Sequence, residues 1–380
     1  MAKKSKMTGD FNNMLKNLRK SVESDSFDLS QLNDVKKNYD TGCYALNRII
    51  SGDFHKGLPS GRVTVIYGES QGGKSLFSTS CAAQALNDGK VGMVFLLDSE
   101  GGVSKDMYKM FDADLSKIEL VPIDCIEELS NKVFQIFDFI KAVQSEDPNF
   151  DAIIILDSLG ALVTRKTVTD IEKDEQKLDR GLRARLINDF IKAINMPALR
   201  TNTTFILLNH IYDDPNAMYQ SAIKNQPGGR GIQFMGRIML QCSRALTKNE
   251  DKEEAKAYVG TRLRVLNTKN FLIQPFNKCE VELDFSTGYR NRYTGLMGLA
   301  IKYGFVQTPS KGFYQVPTWS DKKIRESRLM GEDADEIWGT FIDDLNEAQR
   351  PDLAYGSLID ELPSEEIIVD ETDTMQLVSE

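Results

Sequence analysis

The sequence predicts an α/β fold with a mostly parallel central sheet, a short N-terminal docking segment and a small C-terminal lobe ending in an acidic tail. Two observations carry this prediction. From about Thr41 to Phe285, short apolar runs alternate with amphipathic helical stretches, the pattern of a parallel sheet covered on both faces. Between one such strand and one such helix lies Gly68-Glu69-Ser70-Gln71-Gly72-Gly73-Lys74-Ser75. It fits G-x-x-x-x-G-K-[ST] in the strand–loop–helix setting that the motif requires.

Residues 1–40 are polar. Phe11, Met14, Leu15 and Leu18 recur at helical spacing and make one apolar face. A short helix with one apolar stripe has no core of its own, so Phe11, Leu15 and Leu18 are expected to dock on the rest of the chain or on a neighbouring subunit. Strands are expected at 62–67, 91–97, 118–122, 152–157, 204–209, 237–242, 262–266 and 279–285, and helices at 75–87, 127–143 and 178–199. The later strands have shorter connections and are read as an antiparallel extension. Helices are expected at 295–305 and 335–345 around a Gly-Phe-Tyr turn at 312–314. The organisation is therefore read as 1–40, 41–285, 286–350 and 351–380, with no internal repeat.

The net charge of −9 is concentrated at one end. Residues 351–380 hold nine acids and no Lys or Arg, so residues 1–350 balance to zero. Such a tail is either simply solvated or a competitor with a polyanion for basic sites on the body. The five cysteines stand singly and only two histidines are present, which argues against zinc and for a reducing cytoplasm. No apolar run approaches the ~18 residues that span a bilayer, and the N-terminus does not read as a secretory signal.

The chemistry gathers at the carboxyl ends of the strands, where ligands bind in such sheets. The backbone of residues 68–76, Gly68 to Leu76, can curl around a phosphate, helped by the helix N-terminus. Lys74 can reach the outer phosphates and Ser75 can ligate Mg²⁺. Asp157 ends an apolar strand and is placed to hold the same cation's shell. Glu100, beyond the strand tip at Asp98, is either a carboxylate that orients and deprotonates water or an ordinary surface acid. His210 ends another strand and is either a γ-phosphate sensor or a satisfied imidazole. The loop from Ile211 to Gly231 exceeds the about 12–15 residues at which structureless loops become uncommon. It carries Tyr212, Met218, Tyr219 and Lys224 and closes on Gly228, Gly229 and Arg230. Aromatics and cations in a glycine-hinged loop suit single-stranded nucleic acid. A second irregular stretch, Thr164 to Arg180, leads to Arg183, Arg185 and Lys192. A solvated lid is the alternative for both.

In combination these blocks resemble the RecA family of recombinases, with the closest likeness to the phage UvsX branch, over roughly Thr41 to Tyr314. Thr41-Gly42, Gly57 to Arg62, the loop itself, Asp98-Ser99-Glu100, Leu156 to Leu162 and Asn209-His210 follow in the family's order. The resemblance implies a RecA-like P-loop ATPase core. It implies an ATP- and Mg²⁺-dependent filament on single-stranded DNA that pairs it with homologous duplex, aided by mediator and single-strand-binding proteins and no membrane. It makes Glu100 the general base, His210 the phosphate sensor, and 164–180 and 211–231 the DNA loops, with Arg185 at a matching basic position. Tyr108 falls where a residue stacks on adenine, Phe234 at a subunit contact, and Lys269 where a cation reaches the neighbour's ATP. The family's second basic residue after that position is missing; Asn270 and Phe271 stand there. The alternatives are a ring-forming motor or regulatory ATPase of the same fold, and a DNA-coating protein that uses ATP only as a switch.

Overall fold

A computed structural model describes residues 35–173, 181–212, 224–227, 230–248, 258–284 and 287–355. The chain divides into two compact units, Met1–Lys36 and Lys37–Glu380, and the elements below belong to the second. The expected docking helix with Phe11, Leu15 and Leu18 lies outside the described residues, as does the tail beyond Tyr355.

A two-stranded ribbon, β1 (Asn38–Tyr39) against β2 (Leu58–Pro59), brackets a helix at Tyr44–Ser51. Then come β3 (Val63–Gly68), β4 (Met93–Asp98), β5 (Ile118–Pro122), β6 (Ala152–Asp157), β7 (Thr204–His210), β8 (Ile238–Lys248), β9 (Tyr258–Lys269), β10 (Lys278–Asp284) and β11 (Gly288–Tyr289). Among the described residues they form one nine-stranded sheet in the order β11-β10-β9-β8-β3-β7-β6-β4-β5. The six strands from β8 to β5 run parallel, and β9, β10 and β11 extend the sheet antiparallel.

The central strands are apolar throughout because both faces are covered. Along β6, Ile153 and Ile155 enter one hydrophobic cluster while Ala152, Ile154 and Leu156 enter the other; along β7, Ile206 and Leu208 alternate with Phe205 and Leu207 in the same way. Helices Ile126–Glu146 and Leu182–Arg200 cover the second cluster, and helices Tyr44–Ser51 and Lys74–Asn87 cover the first. Strands β8 and β9 run well past their apolar segments. Their hairpin pairing satisfies the backbone even where Arg244, Arg262 and Arg264 face water, which an apolar count does not register.

Two expectations are corrected. The stretch after β6 is not irregular at its start: Arg165–Glu172 is a helix, and the Thr164 hydroxyl accepts from the Thr167 N–H at 3.2 Å, a hydroxyl cap of the usual kind. Residues 174–180 lie outside the described set. The single helix expected at 335–345 is two, Ala334–Gly339 and Ile342–Gln349. The chain breaks between them because the Phe341 ring turns inward, stacking on Phe305 with centroids 5.6 Å apart and packing against Trp338. A three-stranded sheet, β12 (Gln307–Ser310), β13 (Phe313–Val316) and β14 (Ser320–Ile324), completes the lobe. The lobe's buried Trp338, Ile337 and Leu345 belong to the same cluster as Leu46 and Ile49.

Asp53 secures that packing. Its carboxylate accepts from Arg350 at 2.6 Å and from Asn346 at 3.2 Å, both on the C-terminal side. Burial pushes its carboxyl up, but hydrogen bonds from the His55 N–H and Asn346, and the charges of Arg350 and Lys56, leave it below the ordinary carboxylate range. A carboxyl depressed in the folded state stabilises above its unfolded value and ceases to as pH falls through its folded one. Asp53→Ala is therefore expected to lower stability at neutral pH by on the order of 1–3 kcal/mol. The deficit should shrink in acid, below the ordinary carboxyl value, as followed by urea unfolding at several pH values.

Candidate nucleotide site

β3 delivers the glycine-rich loop at the carboxyl edge of the sheet. Gly68 lies opposite His210 of β7 and Cys242 of β8. A Cβ at Gly68 would stand 2.0 Å from the Cys242 carbonyl oxygen, so a side chain there would push β8 off the sheet. Gln71 (φ 56°) and Gly73 (φ 84°) take left-handed geometry, and the Gly72 N–H closes the turn onto the Glu69 carbonyl at 3.0 Å. The loop then opens the helix Lys74–Asn87, whose N-terminus has no side-chain cap. Its first N–H groups remain available to an anion.

Lys74 is only 5 % exposed. Its Nζ donates to the Gly68 and Glu69 carbonyls at 3.1 and 2.7 Å. Burial holds its ammonium below the usual lysine value, against the opposing pull of Cys242, Asp157 and Glu100. Next to it, the Ser75 hydroxyl donates to Asp157 Oδ2 at 2.7 Å. Burial pushes the Asp157 carboxyl up despite that hydrogen bond. A hydroxyl and a buried carboxylate side by side are a donor set that suits a hard, oxygen-seeking cation.

Asp98 of β4 pairs in register with Asp157 of β6. Its Oδ1 accepts from the Glu100 and Gly101 N–H groups at 2.9 and 2.8 Å. That turn sends Glu100 across the strand tips, where one carboxylate oxygen meets both the Ser158 hydroxyl and His210 Nε2, the latter at 2.7 Å. Burial acts to raise the Glu100 carboxyl, but the bonds from Ser158 and His210 and the nearby positive charges bring it below the ordinary range. Glu100 and His210 keep 37 % and 32 % of their side chains exposed, so both remain reachable by water and ligand. The structure thus brings Lys74, Ser75, Asp157, Glu100 and His210 to one edge.

Tyr108 lines a small cavity with Ser75, Thr79 and Asp157 but is only 4 % exposed. It presents little ring to a base unless that wall opens.

The root of the long loop touches the same edge. Asn209 donates to Gln226 Oε1 at 3.3 Å and to the Pro227 carbonyl at 3.0 Å, and the Tyr212 N–H donates to the Asn225 carbonyl at 3.0 Å. The Lys224 N–H is held by Gln241 at 2.9 Å. Tyr212 is 52 % exposed. Met218, Tyr219, Gly228 and Gly229 lie outside the described residues, and of Arg230 only the backbone, opening the helix Arg230–Met235, is described. Arg185 and Lys192 are exposed seven residues apart on helix Leu182–Arg200, hence on a similar face. Arg183 instead turns inward to the Gly160 and Leu162 carbonyls.

Phe234 and Lys269 lie away from the phosphate loop. Lys269 pairs with Met239, which sits beside Val65, three residues short of Gly68 along β3. Its Nζ donates to the Gln233 and Phe234 carbonyls, both at 2.8 Å, and Phe234 is 72 % exposed.

Sequence reading missed three contributors. Ser158 and Asp98 act on Glu100 as described. Arg244 of β8 donates to Gln71 Oε1 at 2.8 Å, because β8 continues past the end of β3. No motif marks that contact; only the register of the two strands does.

A model of the RecA N-terminal domain matches residues 11–290. Protein RecA of Streptomyces venezuelae is 27 % identical over 302 residues, covering 78 % of this chain and 75 % of that protein. Protein RecA of Tropheryma whipplei is 27 % identical over 281 residues, covering 73 % of this chain and 59 % of its own. That of Leptospira meyeri is 26 % identical over 299 residues, covering 79 % and 68 %. With a family model spanning most of its length and this site on its sheet, the chain belongs to the RecA family.

Proposed function

We propose that this protein is a DNA-dependent ATPase that assembles head to tail on single-stranded DNA and exchanges strands with homologous duplex. One observation carries the reading. Glu100 is bonded to His210, whose neighbour Asn209 holds the root of the long loop through Gln226 and Pro227. A phosphate that draws on His210 would disturb that root and release Glu100 in one movement, and phosphate-driven ordering of a segment is an established switch.

In the proposed reaction Lys74 and the loop N–H groups bind the triphosphate, and Glu100 orients a water and takes its proton. The water oxygen bonds to the γ-phosphorus as the bond to the β–γ bridging oxygen breaks. Among the described residues no group of three or more His, Cys, Asp or Glu is placed to hold a metal alone. Mg²⁺ would be held by Ser75 and Asp157 together with phosphate oxygens, and when bound it would neutralise charge on them. Lys269 would act on the neighbour's nucleotide, since it lies away from its own phosphate loop. Residues 211–231 and the segment through 164–180 to Arg185 and Lys192 would contact DNA, and Phe234 the next subunit. We place the chain near the UvsX-type branch on the resemblance at His210, a position where UvsX-type members also carry His. Among the described residues no helix is long and apolar enough to cross a membrane, and the family's usual cytoplasmic setting is proposed here too.

ATP hydrolysis is expected to rise sharply with single-stranded DNA, and labelled single strand should pair with homologous but not unrelated duplex when ATP is present. Turnover indifferent to DNA, or closed rings by electron microscopy in place of open filaments, would refute this reading.

A further inference from the structure

At the amino-terminal edge of the sheet, away from the phosphate loop, three cations stand together. Arg62 and Arg237 are the residues just before β3 and β8, side by side across the Arg237 N–H to Val63 carbonyl bond of 3.0 Å. Lys269 joins them from β9, held on the last carbonyls of helix Arg230–Met235. The charge of Arg237 reaches both neighbours: burial first, and Arg237 second, hold Arg62 and Lys269 below their usual values. Among the described residues no carboxylate pairs with any of the three. Arg62 lies instead over the Phe271 ring at 5.5 Å, and Arg237 is exposed.

Like charges gathered without a counterion are costly unless something negative arrives. The opposite edge of the same sheet carries Lys74, His210 and Arg244 as well as Asp98, Glu100 and Asp157, and a triphosphate bound at the phosphate loop would add negative charge there. A second copy stacked head to tail would bring the three cations to that triphosphate. Phe234, whose carbonyl is bonded by Lys269, is exposed and would supply the apolar part of that contact.

We infer that Arg237 is the second cation that each subunit places on its neighbour's triphosphate, occupying the role left empty where Asn270 and Phe271 stand. This rests on the head-to-tail reading above. Its guanidinium would meet the γ-phosphate oxygens and steady the charge that moves onto the β–γ bridging oxygen as that bond breaks. It gives and takes no proton; water still supplies the oxygen and Glu100 still accepts the proton. Arg62, covering Phe271, would keep Arg237 turned outward by repulsion.

The test uses the full-length chain on single-stranded DNA. Arg237→Ala is expected to slow DNA-stimulated hydrolysis by about tenfold or more while the free protein keeps its affinity for a fluorescent ATP analogue. Adding Phe271→Lys should recover part of the loss. Mixed one to one with Glu100→Gln, Arg237→Ala should regain about a quarter of native turnover, because one in four random head-to-tail contacts then joins an intact Arg237 to an intact Glu100. Native turnover in Arg237→Ala, or a mixture no faster than its two components, overturns the assignment. If Lys269→Ala and Arg237→Ala both turn over normally, the trans-acting reading itself fails; if only Lys269→Ala is slow, that reading stands and Arg237 has no part in it.

Discussion

Glu100→Gln is expected to bind ATP with near-native affinity and to hydrolyse it about 10²–10⁴-fold more slowly, the usual worth of a positioned general base. The amide keeps the shape of the side chain and can still accept a hydrogen bond from Ser158, so the strand tip stays in place. What it loses is the ability to take a proton from water. Three groups now converge on that carboxylate: the Ser158 hydroxyl, His210 Nε2 and, through the turn, Asp98. Because the variant is expected to keep ATP while hydrolysing it slowly, its DNA-bound filaments should persist with ATP where native filaments turn over. The check is single-turnover hydrolysis alongside equilibrium binding of a labelled nucleotide; native turnover would remove Glu100 from the chemistry.

Lys74→Ala is expected to abolish measurable nucleotide binding and with it DNA-stimulated turnover. Lys74 donates to two carbonyls of its own loop, which holds its ammonium inside the turn proposed to bind phosphate. The substitution also leaves the Gly68 and Glu69 carbonyls without that donor, which should cost on the order of 1–3 kcal/mol of stability in the free protein. Calorimetric unfolding without nucleotide separates this loss from the loss of binding. An intact affinity for ATP would refute the phosphate-loop assignment.

The parts legible in the sequence are those where neighbours in the chain do the work together. A strand, five loop residues and a helix make the glycine-rich turn proposed as the phosphate cradle, and β4 and β6 end in acids at positions 98 and 157. Each of these is a local pattern with a physical reason. The parts that were not legible depend on partners far away in the chain. Asp98 reads as one more acid until its carboxylate is seen turning Glu100 toward His210, and Ser158 reads as one more serine until it meets Glu100. Arg183 looks like a DNA-binding cation beside Arg185, yet it is spent on the Gly160 and Leu162 carbonyls. Helix 165–172 was hidden because its composition is polar and its one strong signal is a threonine cap.

The sequence by itself determined the alternation of buried strands and covering helices, and the strand–loop–helix setting of the glycine-rich loop, because backbone preference and apolar spacing act over a few residues. The tertiary structure alone decided which strands became neighbours. The order β8-β3-β7-β6-β4 sets His210 against Glu100 and carries Arg244 to Gln71, while Lys269 and Arg237 go to the far edge. Strand order is a matter of long-range pairing, in which loop closure and packing of both sheet faces are settled together, and no window of sequence holds that information.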